Sequence, residues 1–323
     1  MTSATVCVPG TCGELVQGML QGSHFLVSCP IDLFSSVTVE LTEGEGVIAP
    51  DDIPKAETAL RAAMRHFGLN GVGVRLTVAS PLPRGKGMGS STADVAGAVY
   101  ALAEALGWSV HPDVVGRLAV AVEPTNSSLF PDLALFDHRH GSLCQAIGPP
   151  PPADVLVLDC GGEVDTVAYN RVDRTSILRE LEPLAARSLA LVREGVSRGD
   201  LGLIGEGATL SALAHQRVLP KAPLPEAIAL GTELGAAGVS VAHSGTVIGV
   251  LFPPEPRDRE RVSGRFLAQR SDLSALGWFS LIGGGCYRVG GSVASPVRHP
   301  CLSKRSISVL ASRGAWPSGS LLK

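Results

Sequence analysis

The stretch Pro83-Arg84-Gly85-Lys86-Gly87-Met88-Gly89-Ser90-Ser91-Thr92-Ala93 constrains this chain more than any other. Before it, Val72, Val74, Leu76 and Val78 alternate with Gly73, Arg75 and Thr77, the two-residue period of a strand, which Pro81 and Pro83 close. After it, Ala96, Val99, Leu102, Ala103 and Leu106 recur at helical spacing over 93–106, and Gly107 supplies the stop. Strand, glycine loop and helix therefore follow in order. Glycines at 85, 87 and 89 permit positive φ and remove side chains that would hold an anion away, while the free N–H groups of the helix start point toward it. Ser90, Ser91 and Thr92 add hydroxyls suited to a phosphate oxygen or a metal ion. The spacing fits neither a P-loop, which needs four residues between Gly and Gly-Lys-Ser/Thr, nor the dinucleotide G-x-G-x-x-G, because Ser90 stands where the third glycine belongs.

The remainder of the chain sets the frame for that loop. The segment 6–41 reads as strands broken by glycine turns, 55–67 as a helix ending at Gly68, and 111–122 as a helix that Pro124 ends, leaving Glu123 at its carboxyl end. The run Gly148-Pro149-Pro150-Pro151-Pro152 cannot form a helix or a ladder and predicts a connector. Beyond it, 155–158 and 247–252 read as apolar strands, and 174–198, 201–213 and 224–234 as helices. With 323 residues and 45% hydrophobic content, two cores are expected: domains at 1–150 and 151–289, with a Ser-rich, basic tail at 290–323.

Composition excludes several classes of partner. The net charge of −3 with scattered Lys and Arg predicts no nucleic-acid partner. Seven cysteines without a Cys-x-x-Cys pair argue against a disulfide framework or a thiolate zinc cage, so they read as reduced thiols. No apolar run approaches the ~18 residues that span a bilayer, and the amino terminus lacks a basic segment followed by an apolar one. A cytoplasmic protein without membrane partners is the expectation.

The glycine loop resembles the second motif of the GHMP kinases (galactokinase, homoserine, mevalonate and phosphomevalonate kinases), in which Pro and three residues precede Gly-Leu-Gly-Ser-Ser-Ala; Met88 replaces the leucine. Val8-Pro9-Gly10-Thr11-Cys12-Gly13-Glu14 and 238–247 stand where that superfamily has its first and third motifs. Within it, 11–18 (Thr-Cys-Gly-Glu-Leu-Val-Gln-Gly), 27–32, 122–127, 135–138 and 242–247 look like the L-threonine kinases of cobalamin biosynthesis, whose product feeds the aminopropanol arm of the corrinoid. The resemblance covers roughly 6–285. It implies an α+β, two-domain GHMP kinase fold, with an S5 domain 2-like amino-terminal domain and a ferredoxin-like carboxyl-terminal domain. It also implies ATP and Mg2+ as cofactors and an amino-acid alcohol as substrate, and a homodimer is compatible with it.

The same resemblance assigns roles. Ser91 and Glu123 become the metal ligands and, with Asn126, the catalytic set; Pro83, Gly85, Lys86, Gly87, Met88, Gly89, Ser90, Ser91 and Thr92 hold the nucleotide. At a helix carboxyl end the macrodipole disfavours an anion by about 0.3–1 kcal/mol, a penalty that a bound cation reverses at Glu123. An amino-acid substrate needs an anionic partner for its ammonium, for which Glu14 and Asp32 are candidates, and His243 and Ser244 belong to the third motif beside substrate and nucleotide. Related kinases carry Asp where Asn126 stands, and an amide cannot take a proton, so the base is open. Asp132 and Asp137 are nearby carboxylates, and a loose transition state also lets the γ-phosphate take the proton. Thr11 replaces a basic residue usual in the first motif, which leaves the substrate carboxylate without an assigned partner. His138-x-His140 lacks a third ligand at metal-binding spacing and reads as no metal site.

Overall fold

The structure is a computed structural model that describes residues 2–164, 166–288 and 295–296. It opens with a long antiparallel hairpin, β1 (Ser3–Leu20) and β2 (Ser23–Thr42), closed by Gln21 and Gly22 at φ 49° and 82°. Two successive positive φ values match the right-handed twist of the flanking strands, which is why so short a turn suffices. β3 (Gly46–Ile48), α1 (Pro54–His66), β4 (Gly73–Ala79), α2 (Ser90–Ala105) and α3 (Pro112–Val120) follow. The hairpin β5 (Leu133–Phe136) and β6 (Cys144–Gly148) adds to β2 through Leu26 and Val27.

After residues 149–153 come β7 (Asp154–Asp159), α4 (Thr166–Arg171), α5 (Thr175–Arg198), α6 (Leu201–His215) and α7 (Leu224–Glu233). β8 (Gly238–Val241), β9 (Val247–Phe252), α8 (Arg259–Gln269), β10 (Ser274–Ser280), β11 (Tyr287–Arg288) and β12 (Ser295–Pro296) complete the described chain. The main sheet runs β10-β7-β9-β8-β1-β2-β4-β3. Its carboxyl-terminal part places the first of its four strands between the fourth and the third, all antiparallel, which is the expected ferredoxin-like order.

Three apolar clusters hold these layers. One joins Val37, Val39, Val74 and Leu76 of the sheet to Ala59, Leu60, Val99 and Leu102 of α1 and α2. α2 is buried nearly all round, and Gly97 lets it ride against Val37, whose Cγ2 would lie 2.4 Å from an added Cβ. A second cluster mixes Leu15, Val16, Phe25 and Val27 with Val155, Leu189, Val192 and Ile204, so the two halves share a core instead of meeting across a thin linker. The third, around Leu156, Val250, Phe252 and Phe266, lies under α7 and α8. Residues 281–288 return to the amino-terminal half, where Ile282 N donates to Pro30 O (3.1 Å) and Tyr287 pairs with Cys7. The expected tail at 290–323 lies outside the described residues except for Ser295–Pro296, which pairs with β11. The six described cysteines are free, with Cys12, Cys29 and Cys286 buried, and Cys301 lies outside the described residues.

Candidate active site

Backbone contacts from several parts of the chain fix the glycine loop. Thr246 N donates to Lys86 O (2.9 Å), Thr11 N to Met88 O (2.9 Å), and Val164 N to Gly85 O (3.1 Å). Gly87 and Gly245 lie back to back, since a Cβ on Gly245 would sit 2.4 Å from Gly87 Cα and 2.3 Å from Lys86 O. Gly85, Gly87 and Gly89 all have φ between 71° and 79°, as the sequence required. Gly89 then caps α2 without any side-chain hydrogen bond, leaving the first-turn N–H groups free for an acceptor. This is a cradle that fits a polyphosphate.

Gly85, Gly87, Met88, Gly89, Ser90, Ser91 and Thr92 line one cleft of about 340 Å³ together with Glu14, Glu123, Asn126, His243 and Ser244. Ser91 Oγ donates to Glu123 Oε1, and Lys55 Nζ lies 2.5 Å from Glu123 Oε2. Glu123 follows α3, its N–H bonded to Ala119 O, so it stands where the helix end disfavours an anion. A hydroxyl and a carboxylate in contact are hard oxygens of the kind that suits Mg2+, which takes one or two carboxylates with substrate phosphates and needs no larger cage. Among the described residues no group of three or more His, Cys, Asp or Glu is disposed to hold a metal.

Asn126 turns its carbonyl oxygen away from the loop. Oδ1 accepts from Ser128 N (3.0 Å) and Ser128 Oγ (2.7 Å), which caps a short 3-10 turn, while Nδ2 faces Gly89, 2.6 Å from where a Cβ would stand. The residue therefore presents donors to the loop and orients, and it removes no proton. Thr92 Oγ1 bonds Thr125 Oγ1 (2.7 Å) and Asn126 N (3.2 Å), which pins this segment to α2.

Four expectations change. Lys86 points away from the cleft: its ammonium is 2.8 Å from Asp159 Oδ2 and 2.6 Å from Gly162 O, so it fastens the loop to β7. Asp159 is buried, which raises its pKa, but the bonds from Lys86, the Thr246 hydroxyl and Gly161 N more than offset this and hold it below the usual carboxylate range. Asp32 is exposed and accepts from Ser280 N (2.7 Å), tying β2 to β10 outside the cleft, and Pro83 does not line the cleft. Neither spare carboxylate reaches the cleft. Asp137 is buried as an acceptor for Arg139, His140 and Ser142, whose bonds outweigh the upward pull of burial and lower its pKa; Asp132 sits in a strained turn at φ 60°. His138 and His140 point apart: His138 is buried at the cleft, and His140 is exposed beside Asp137.

The acceptor end of the cleft is polar and buried. Bulges in β1 around Thr11 and Glu14, with Gly13 at φ 62° pressed on the Val241 backbone, turn Glu14 inward between β2 and β8. Its side chain is 4% exposed, Oε2 has no partner, and burial, opposed by a bond with Ser28, pushes its pKa up to about 8. Thr11 Oγ1, both ring nitrogens of His138 and His243 Nε2 are likewise buried without partners. Lys55, Asp94 and His138 also line the cleft and escaped notice in the sequence as parts of this site, as did Gln17, whose Oε1 lies 2.7 Å from His243 Nδ1. Lys55 only opened a helix, Asp94 lay inside one, and Gln17 stood in the 11–18 motif without a role.

Comparison with known proteins fits this geometry. The family of GHMP kinases N terminal domain matches residues 54–136, and that of GHMP kinases C terminal matches residues 190–269. An L-threonine kinase of Salmonella typhimurium is 36% identical over 265 residues, 81% of this chain and 87% of that protein. A homoserine kinase of Moorella thermoacetica is 27% identical over 78% of this chain and 88% of its own length. The solved homoserine kinase of Cytophaga hutchinsonii superposes with a TM-score of 0.70 at 16% identity, covering 90% of this chain and 98% of that one. The chain belongs to the GHMP kinases. It is a small-molecule kinase with the two-domain fold of that family.

Proposed function

We propose that this protein transfers the γ-phosphoryl group of ATP to the hydroxyl of L-threonine, giving O-phospho-L-threonine and ADP. The observation that carries the reading is the single cleft that joins the uncapped glycine loop and the Ser91–Glu123 pair to a buried, unpartnered polar wall at Glu14, His138 and His243. The 36% identity to an L-threonine kinase supports the choice of acceptor. By the same resemblance the product serves the aminopropanol arm of cobalamin biosynthesis, in the cytoplasm.

Phosphoryl transfer needs charge neutralisation and alignment more than covalent help. The amides of 87–91 hold the phosphates, and Asn126 Nδ2 adds donors beside Gly89. Ser91 and Glu123 would hold Mg2+, which would supply charge neutralisation at the phosphates. Lys55 fixes Glu123. With Asp132 and Asp137 turned away and Asn126 a donor, the hydroxyl proton passes to the γ-phosphate as the new O–P bond forms.

Homoserine is the second acceptor to weigh, because of the relative from Moorella thermoacetica. A coupled ADP-release assay over threonine, serine, homoserine and mevalonate decides. Threonine should give the highest kcat/KM; a clear preference for homoserine overturns the assignment, and nucleotide binding without acceptor-dependent turnover marks an inactive regulator.

A further inference from the structure

Gln17 lies on β1, three residues beyond Glu14, and is 6% exposed. Its amide nitrogen Nε2 donates to Val241 O (3.3 Å), and its Oε1 lies 2.7 Å from His243 Nδ1. Val241 O can only accept, so the amide nitrogen must face it and the amide oxygen must face the histidine. A carbonyl oxygen also only accepts, so the proton of the imidazole is on Nδ1 and Nε2 keeps its lone pair. Burial first, with the charges of Arg139, His24, Lys221 and Arg174 behind it, pushes the His243 pKa down to about 3, which keeps the ring neutral.

That lone pair is buried and meets no protein donor, and it belongs to the wall that carries Glu14 Oε2, also unpartnered. The His243 backbone is held as well, with His215 Nε2 3.0 Å from its carbonyl oxygen and Lys221 Nζ 3.0 Å from Ala242 O. An unpartnered lone pair beside a buried carboxyl, protonated while the site is empty and able to ionise against a cation, suits a ligand that brings several N–H bonds and a positive charge. His138 stands beside them, its ring centroid 4.9 Å from that of His243, and a neutral imidazole with both nitrogens unpartnered carries one N–H donor. That donor suits a carboxylate, the group left without a partner when Thr11 replaced a basic residue.

We propose that Gln17 is a positioning residue that fixes the His243 tautomer, so that His243 Nε2 and Glu14 Oε2 form a two-acceptor socket for the α-ammonium of the substrate, with His138 donating to its carboxylate. This rests on the amino-acid reading of the cleft and adds how the amino acid is told from a plain hydroxy acid.

The test uses the full-length protein with ATP and Mg2+, comparing L-threonine with 3-hydroxybutyrate, which lacks the ammonium, and threoninamide, which lacks the carboxylate. The wild type should favour threonine over 3-hydroxybutyrate by at least 100-fold in kcat/KM. Gln17→Leu and the isosteric Glu14→Gln should each raise the threonine KM at least 10-fold with a smaller change in kcat, and Gln17→Leu should leave the KM for ATP unchanged. His138→Phe should erase the preference for threonine over threoninamide. Nitrogen NMR of labelled histidine should show His243 Nε2 as a lone-pair nitrogen in the wild type and a mixed tautomer in Gln17→Leu. Threonine turnover with an unchanged KM and an unchanged preference in both Gln17→Leu and Glu14→Gln overturns the socket alone. A wild type that leaves threonine untouched overturns both the socket and the substrate assignment.

Discussion

Replacing Lys86 by Met removes an ammonium that sits 2.8 Å from Asp159 Oδ2 and 2.6 Å from Gly162 O. The pair is mostly buried, with 19% of the lysine and 7% of the aspartate side chain exposed. Breaking a buried pair from one side costs about 3–5 kcal/mol. Asp159 retains the Thr246 hydroxyl and Gly161 N (3.2 Å), so the loss here should fall to about 2–3 kcal/mol. For a chain of 323 residues, at about 2.1 cal/mol/K of unfolding entropy per residue, that lowers the thermal midpoint by about 3–5 °C. The effect should depend on pH. Because Asp159 is held below its ordinary value, its contribution is present above that value, near 3.8, and is lost as pH falls through the lower folded one. Lys86→Met should therefore flatten the acid limb of the stability profile, and a double-mutant cycle with Asp159→Asn isolates the pair. Thermal unfolding from pH 3 to 7, with the KM for ATP measured on the folded variant, reads both effects. An unchanged midpoint together with a KM for ATP raised tenfold would show that Lys86 grips the nucleotide and would refute this reasoning.

Ser91→Ala and Glu123→Gln should each lower kcat by at least about 10-fold while the thermal midpoint moves little, because the Lys55 partner is 43% exposed and such a pair contributes about 0–1 kcal/mol. Wild-type rates in both folded variants would remove them from the site. Glu14 keeps its proton in the folded state until about pH 8 but loses it near 4.5 when unfolded, so its burial costs stability as pH rises between these values. Denaturant unfolding should show Glu14→Gln gaining about 2–4 kcal/mol over the wild type between pH 5 and 8, and a pH-independent difference contradicts the buried carboxyl. Gly245→Ala must push its Cβ into Lys86 O and Gly87 Cα, which costs about 1–3 kcal/mol and displaces the loop. Titration with an ATP analogue should show at least tenfold weaker binding for that variant, whereas Gly264→Ala, which meets nothing within 4 Å, should leave it unchanged.

What the sequence disclosed was local. The helix expected at 55–67 stands at Pro54–His66, and that expected at 93–106 begins three residues earlier, because Ser90, Ser91 and Thr92 are polar and give no apolar period at the α2 start. Glycines 85, 87 and 89 were legible because a backbone at positive φ admits few other residues. β10 was missed because Ala275–Ser280 is half-buried throughout and shows no alternation, and α8 because only Val262 and Phe266 face inward from a charged segment. Long-range pairing decided the rest. Lys86 and Asp159, Gln17 and His243, and Asp32 and Ser280 are separated by 73, 226 and 248 positions, and only the sheet order brings them together. Asp32 read as a cleft carboxylate because its neighbourhood in sequence says nothing of which edge of β2 it occupies.

A crystal of the protein grown with Mg2+, a non-hydrolysable ATP analogue and L-threonine addresses the phosphoryl donor and acceptor together. The account predicts triphosphate density over the amides of 87–91, the metal between Ser91 and Glu123, and the amino acid against Glu14 and His243 with its hydroxyl toward the γ-phosphate. Nucleotide bound elsewhere, or threonine lying with its carboxylate on Glu14, would contradict it.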